Sequence, residues 1–125
     1  MADNILIEGS CHCGDVKLQI EAPLPEKLTS CNCSICRRYG TLMAYFHPDQ
    51  VKITAAKPDS LQEYVWGKDL AFVRCSRCGC HSHWRSMNPE YADRMGVNAR
   101  LFTNLDIHTI RVRRFDGADT WKFLD

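Results

Sequence analysis

No stretch of this sequence stays apolar long enough to span a bilayer, and its first ten residues, MADNILIEGS, carry a short apolar run with no basic lead. Neither a membrane span nor a secretion signal is therefore expected, and the reading is a cytoplasmic protein. Charge of one sign is also missing: 16 Lys and Arg face 15 Asp and Glu, for a formal net charge of +1. A general nucleic-acid binder needs a basic excess, so nucleic acid is not an expected partner. Repeats, low-complexity tracts and heptads are absent too. At 125 residues, 45% hydrophobic and 25% charged, the chain reads as one globular domain over residues 1–125 with its own core.

What the sequence does have is cysteine, eight in all. They fall into SCHCGD (Cys11, Cys13), CNCSIC (Cys31, Cys33, Cys36) and RCSRCGC (Cys75, Cys78, Cys80). In a reducing compartment such grouping points to metal ligands rather than disulfides. Zinc takes four soft or borderline donors at tetrahedral corners, and two cysteines two or three residues apart can present both sulfurs from one tight turn. Gly14 and Gly79 each follow the second cysteine of a pair, where the backbone must turn sharply. That shared pattern pairs Cys11 and Cys13 with Cys75 and Cys78, a structural site joining distant parts of the chain. Cys31, Cys33 and Cys36 remain, with Cys80 and the histidines His12, His47, His81, His83 and His108 as possible fourth ligands. Filling a four-thiolate and a three-thiolate zinc site would move the formal charge from +1 to −2.

The apolar residues alternate more often than they recur at helical spacing. In DVKLQIEA, Val16, Leu18 and Ile20 share one face and Lys17, Gln19 and Glu21 the other. Further strands are expected over 41–47, 50–55, 62–66, 70–75, 81–86 and 109–115. One short helix over 88–95, capped by Asn88 with Pro89 at its first position, and one helical turn over 34–40 closed by Gly40 complete a mainly β reading. That turn puts Arg37 and Arg38 beside Cys36. Near the C-terminus, RRFDGADTW reads as a strand, an Asp116–Gly117 turn and a Trp121 packed back on the sheet. The alternative has Asp116, Asp119 or Trp121 lining a substrate pocket. The arginines of RVRR fit an exposed sheet face without a ligand.

GSCHCGDV, CNCSICRRYG and FVRCSRCGC resemble, in order, the three motif blocks of the glutathione-dependent formaldehyde-activating enzyme family, which includes centromere protein V. The resemblance covers roughly residues 5–121. It implies a mainly β, Mss4-like fold whose antiparallel sheets are stapled by zinc. It implies two zinc ions per chain: a structural one on Cys11, Cys13, Cys75 and Cys78, and a second on the three thiolates of Cys31, Cys33 and Cys36. It further implies a carbon–sulfur lyase acting on a small thiol adduct, similar to an S-hydroxymethylglutathione synthase, with glutathione or its adduct as the small-molecule partner. Arg37 and Arg38 are the candidates for pairing with a substrate carboxylate. The rival reading is a non-enzymatic zinc module that presents a β surface to a protein partner.

Overall fold

A computed structural model describes residues 3–125; Met1 and Ala2, the start of the N-terminal segment considered above, lie outside the described residues. The chain is mainly β. Strands β1 (Ile5–Ser10), β2 (Val16–Ala22) and β5 (Val51–Ala55) form a three-stranded antiparallel sheet in the order β1-β2-β5. The other seven strands are β3 (Lys27–Cys31), β4 (Met43–Phe46), β6 (Leu61–Trp66), β7 (Leu70–Cys75), β8 (His81–Ser86), β9 (Met95–Asn98) and β10 (Arg111–Phe115). They form one sheet in the order β10-β3-β4-β9-β8-β7-β6.

Strand β2 shows why these residues take this form. Its burial alternates without a break, with Val16, Leu18, Ile20 and Ala22 inside and Lys17, Gln19 and Glu21 in solvent. Ile7 of β1 and Leu18, Ile20 and Ala22 of β2 join Leu28, Ala44, Phe46, Val97 and Ile110 in the main hydrophobic cluster, so the small sheet is packed over the large one. A smaller cluster of Cys11, Val16 and Cys75 lies at one end. No helix among the described residues is long and apolar enough to cross a membrane.

The structure departs from the sequence reading at three places. The expected helix over 88–95 is only a 3-10 turn, Pro89–Tyr91, although Asn88 does cap it by accepting from the Glu90 N–H; Met95 already begins β9. The sheet is not wholly antiparallel, because β10 runs parallel to β3. Strands β3 and β9 carry no alternation that would announce them. Trp121 does turn back onto the strand, its ring edge-on to Phe115 of β10 at 5.7 Å between centroids, although 74% of the residue stays exposed. Phe123 packs there as well, bridging to Phe115 with ring centroids 5.1 Å apart under the cations of Lys27 and Arg113.

Candidate metal centres

The eight cysteines are free thiols, and seven of them meet in two clusters. In the first, the sulfurs of Cys11, Cys13, Cys75 and Cys78 all lie within 4.8 Å of one another. Two edges are 3.7 Å (Cys11–Cys13) and 3.6 Å (Cys13–Cys75). A tetrahedron of sulfurs about 2.3 Å from a zinc ion has edges of about 3.8 Å, so the donor set has the size of a metal cage. Gly14 and Gly79 have φ of 87° and 79°, the left-handed turns that bring each pair of sulfurs to one side. Backbone N–H groups donate to the sulfurs, Val16 to Cys11 (3.3 Å) and Cys78 to Cys75 (3.5 Å). These bonds stabilise thiolate over thiol.

The second cluster is local. Cys31 ends β3, Cys33 is the N-cap of the short helix α1 (Ser34–Tyr39), and Cys36 lies buried in its first turn. The Cys33 sulfur accepts from the Cys36 N–H at 3.4 Å, as a capping side chain does, and Gly40 closes the helix with φ of 69°. The three sulfurs lie within 4.8 Å of one another. Among the described residues, no further cysteine, histidine or carboxylate donor lies that close to all three.

Cys80 is not the missing donor. It packs between the two hydrophobic clusters, and its thiol senses Cys78 and Cys11 of the first centre. The N–H of His12 draws that thiol down, but burial and those two sulfurs prevail and leave it raised. Nor do the histidines complete the site. His81 and His83 are buried and neutral, both pushed down to about 4 chiefly by desolvation, while His12, His47 and His108 are exposed.

Electrostatics asks for a cation at both centres. The Cys36 thiol donates to Cys31, and together with the N–H groups of Cys33 and Gly117 it lowers Cys31 to about 5; the ionised neighbours then raise Cys36. Likewise Cys13 is pushed up to about 12: the Asp15 N–H favours its thiolate, but burial and the other three sulfurs outweigh it. One thiolate forms readily and the next resists, so full ionisation of either cluster requires a positive ion among the sulfurs. The donor chemistry, the cage size and the N–H···S bonds all suit a soft divalent metal.

Arg37 and Arg38 are exposed on α1, and Arg38 Nη1 donates to the Ser34 carbonyl at 2.9 Å. Residues distant in sequence from Cys31 and Cys36 also surround the second centre, beginning with Tyr45 and Arg94. Tyr45 has its phenol pushed up to about 12, first by burial, against the pull of Arg94, with Cys36 and Cys31 adding to the rise. The Arg94 guanidinium lies 4.1 Å from the Tyr45 ring centroid. Asn32 and the Asp116–Gly117 turn form another wall. A turn signal was legible at Asp116–Gly117, but its position against Cys31 was not, since that depends on the parallel register pairing Phe115 with Cys31.

Comparison with known proteins agrees with this geometry. A protein of Halomonas elongata described as "Putative glutathione-dependent formaldehyde-activating enzyme" is 50% identical over 34 residues, which is 27% of this chain and 22% of that protein. The chain thus matches about a fifth of that relative's length. A crystal structure of a Rhodobacter sphaeroides protein superposes with a TM-score of 0.69 at 22% identity, over 84% of this chain and 98% of that one, which establishes a shared fold. The profile of the family described as glutathione-dependent formaldehyde-activating enzyme matches residues 6–111. The chain belongs to the glutathione-dependent formaldehyde-activating enzyme family.

Proposed function

We propose that this chain is a zinc-dependent carbon–sulfur lyase of the S-hydroxymethylglutathione synthase type, acting as one domain over residues 1–125 in the cytoplasm. The observation that carries the reading is the unequal filling of the two centres: four protein sulfurs at the first, three at the second. A closed tetrahedral site holds structure, whereas a reacting metal keeps a position for an outside ligand. Cys11, Cys13, Cys75 and Cys78 are assigned to a structural zinc, and Cys31, Cys33 and Cys36 to a second zinc able to accept a thiol. A zinc held by three thiolates is a soft, weak Lewis acid, better suited to binding sulfur and lowering a thiol pKa than to activating water.

The reaction then joins a thiol to formaldehyde. The sulfur electron pair forms the C–S bond, the carbonyl π electrons move onto oxygen, and that oxygen takes up the proton the thiol gave up. The reverse breaks the same bond. Tyr45, which stays protonated at neutral pH, supplies an O–H near Cys31 and Cys36 that can donate to the developing oxyanion. Arg37 and Arg38 on α1 are the groups to meet a carboxylate of glutathione. Zinc analysis tests the assignment. Two zinc ions per chain, one of them changing its coordination when glutathione is added, is the expected result, and one ion per chain would count against it.

One observation favours the second reading, a non-enzymatic module. Strand β6 is an edge of the large sheet, and Tyr64, Val65 and Trp66 on it are all about half exposed. Replacing Val65, which does not line the cavity shared by Trp66 and Arg38, by Ala would weaken partner binding under that reading and leave turnover unchanged under the first.

A further inference from the structure

We infer that the Asp116–Gly117 turn is a positioning element of the three-sulfur centre, with Gly117 present because no side chain fits between the turn and Cys31. The inference rests on the reading of Cys31, Cys33 and Cys36 as a metal site and adds residues to it.

The parallel pairing of β10 with β3 sets Phe115 beside Cys31, so the chain leaving β10 must turn over the sulfurs. A Cβ on residue 117 would lie 2.6 Å from Cys31 Sγ and 3.4 Å from Cys33 Cβ, the first distance being shorter than real Cβ atoms tolerate. Gly117 is not among the glycines with positive φ, which are Gly14, Gly40, Gly67 and Gly79. Its requirement is therefore space rather than backbone freedom.

The turn is fastened to the ligand segment itself. Asp116 is buried, 8% exposed, and its carboxylate accepts from Asn32 Nδ2 (2.9 Å), the Thr120 N–H (3.2 Å) and Thr120 Oγ1 (2.9 Å). Asn32, standing between Cys31 and Cys33, returns the contact: its Oδ1 accepts from the Ala118 N–H (3.0 Å), and its own N–H donates to the Phe115 carbonyl (3.1 Å). An Asp-Gly turn forms without such partners. Here the partners join residues 84 and 86 positions apart and hold the backbone that spaces two of the three sulfurs. Groups that orient metal ligands in this way typically change metal affinity by about 10- to 100-fold when replaced.

Cobalt(II) titration of the full chain, followed by its d–d and sulfur-to-cobalt absorption, tests the inference in the parent, Gly117→Ala, Asp116→Asn and the control Gly67→Ala. The parent should take up two equivalents. Gly117→Ala and Asp116→Asn should each keep the first at parent affinity and bind the second at least about tenfold more weakly. Gly67→Ala, a change in the β6–β7 turn at φ of 72°, should lower the melting temperature and leave both affinities alone. If Gly117→Ala does not fold, Asp116→Asn decides by the same criterion. Variants that retain the second equivalent at parent affinity, or weaken both equally, would overturn this inference alone. A parent that binds only one equivalent would overturn it together with the metal-site reading beneath it.

Discussion

The two cysteine clusters hold similar atoms in opposite ways. The first draws sulfurs from segments 62 residues apart in sequence and buries Cys11 and Cys75 against the end of the core. The second takes all three sulfurs from six consecutive residues that run from the end of β3 into the first turn of α1. A bound ion in the first closes a long loop and so restrains the unfolded chain strongly; in the second it closes a very short one. Stability should thus depend on the first centre and chemistry on the second.

The sharpest way to break that contrast is Cys78→Ser. It removes one corner of the long-range site, and the melting temperature should fall by on the order of 10 °C or more in a thermal scan. An unaltered melting temperature would deny the first centre its structural role. The same change at the other centre, Cys33→Ser, should behave differently. Serine caps a helix as well as the cysteine it replaces, so α1 should persist and the melting temperature should move by less than about 5 °C. Turnover of glutathione with formaldehyde should fall by at least about 100-fold, to be checked by steady-state kinetics on the same preparation.

His81 connects the two regions. It follows the knuckle of residues 75–80, and its ring stacks on Tyr39, the last residue of α1, at 4.5 Å. Both of its ring nitrogens are buried without a partner. Its folded pKa of about 4 lies below the ordinary 6.5, so the unfolded chain binds the extra proton between those values. The stability it contributes is complete above pH 6.5 and is lost as pH falls toward 4, up to roughly 3 kcal/mol. Denaturant titrations at pH 7 and pH 4.5 should show a smaller pH difference in His81→Phe than in the parent. Equal differences would mean that the ring titrates normally.

The smallest effect is expected on α1. Arg38→Ala should leave the melting temperature within about 2 °C, because an exposed arginine adds little to stability. If it meets a substrate carboxylate, KM for glutathione should rise roughly fivefold with kcat unchanged, the equivalent of about 1 kcal/mol. An unchanged KM would leave Arg37 as the remaining candidate.

Much of this arrangement was legible before folding was considered. Strands β7 and β8 occupy the expected residues 70–75 and 81–86, and β2 follows the alternation of Val16, Leu18 and Ile20. Gly14 and Gly79 disclosed the first centre because a tight knuckle needs positive φ at that position. Strands β3 and β9 escaped notice for a physical reason. Both lie inside the large sheet; Leu28 and Thr29 are buried in succession, as are Gly96, Val97 and Asn98, so neither shows a period of two. Gly96 moreover serves as a floor for the Trp84 ring, a contact that no local pattern records. The walls of the second centre were hidden in the same way. Tyr45 and Gly117 reach Cys31 and its neighbours, and Asn32 reaches Asp116 and Ala118, only through strand order and register, and a parallel β10–β3 pairing between segments more than 80 residues apart has no local signature.

X-ray absorption at the zinc edge, on the zinc-loaded chain before and after adding glutathione, tests the central claim most directly. Two zinc ions per chain should show an average of between three and four sulfur neighbours with a light atom present, rising to four sulfurs as the thiol displaces that atom. Four sulfurs per zinc before any thiol is added, or a single zinc per chain, would contradict the account.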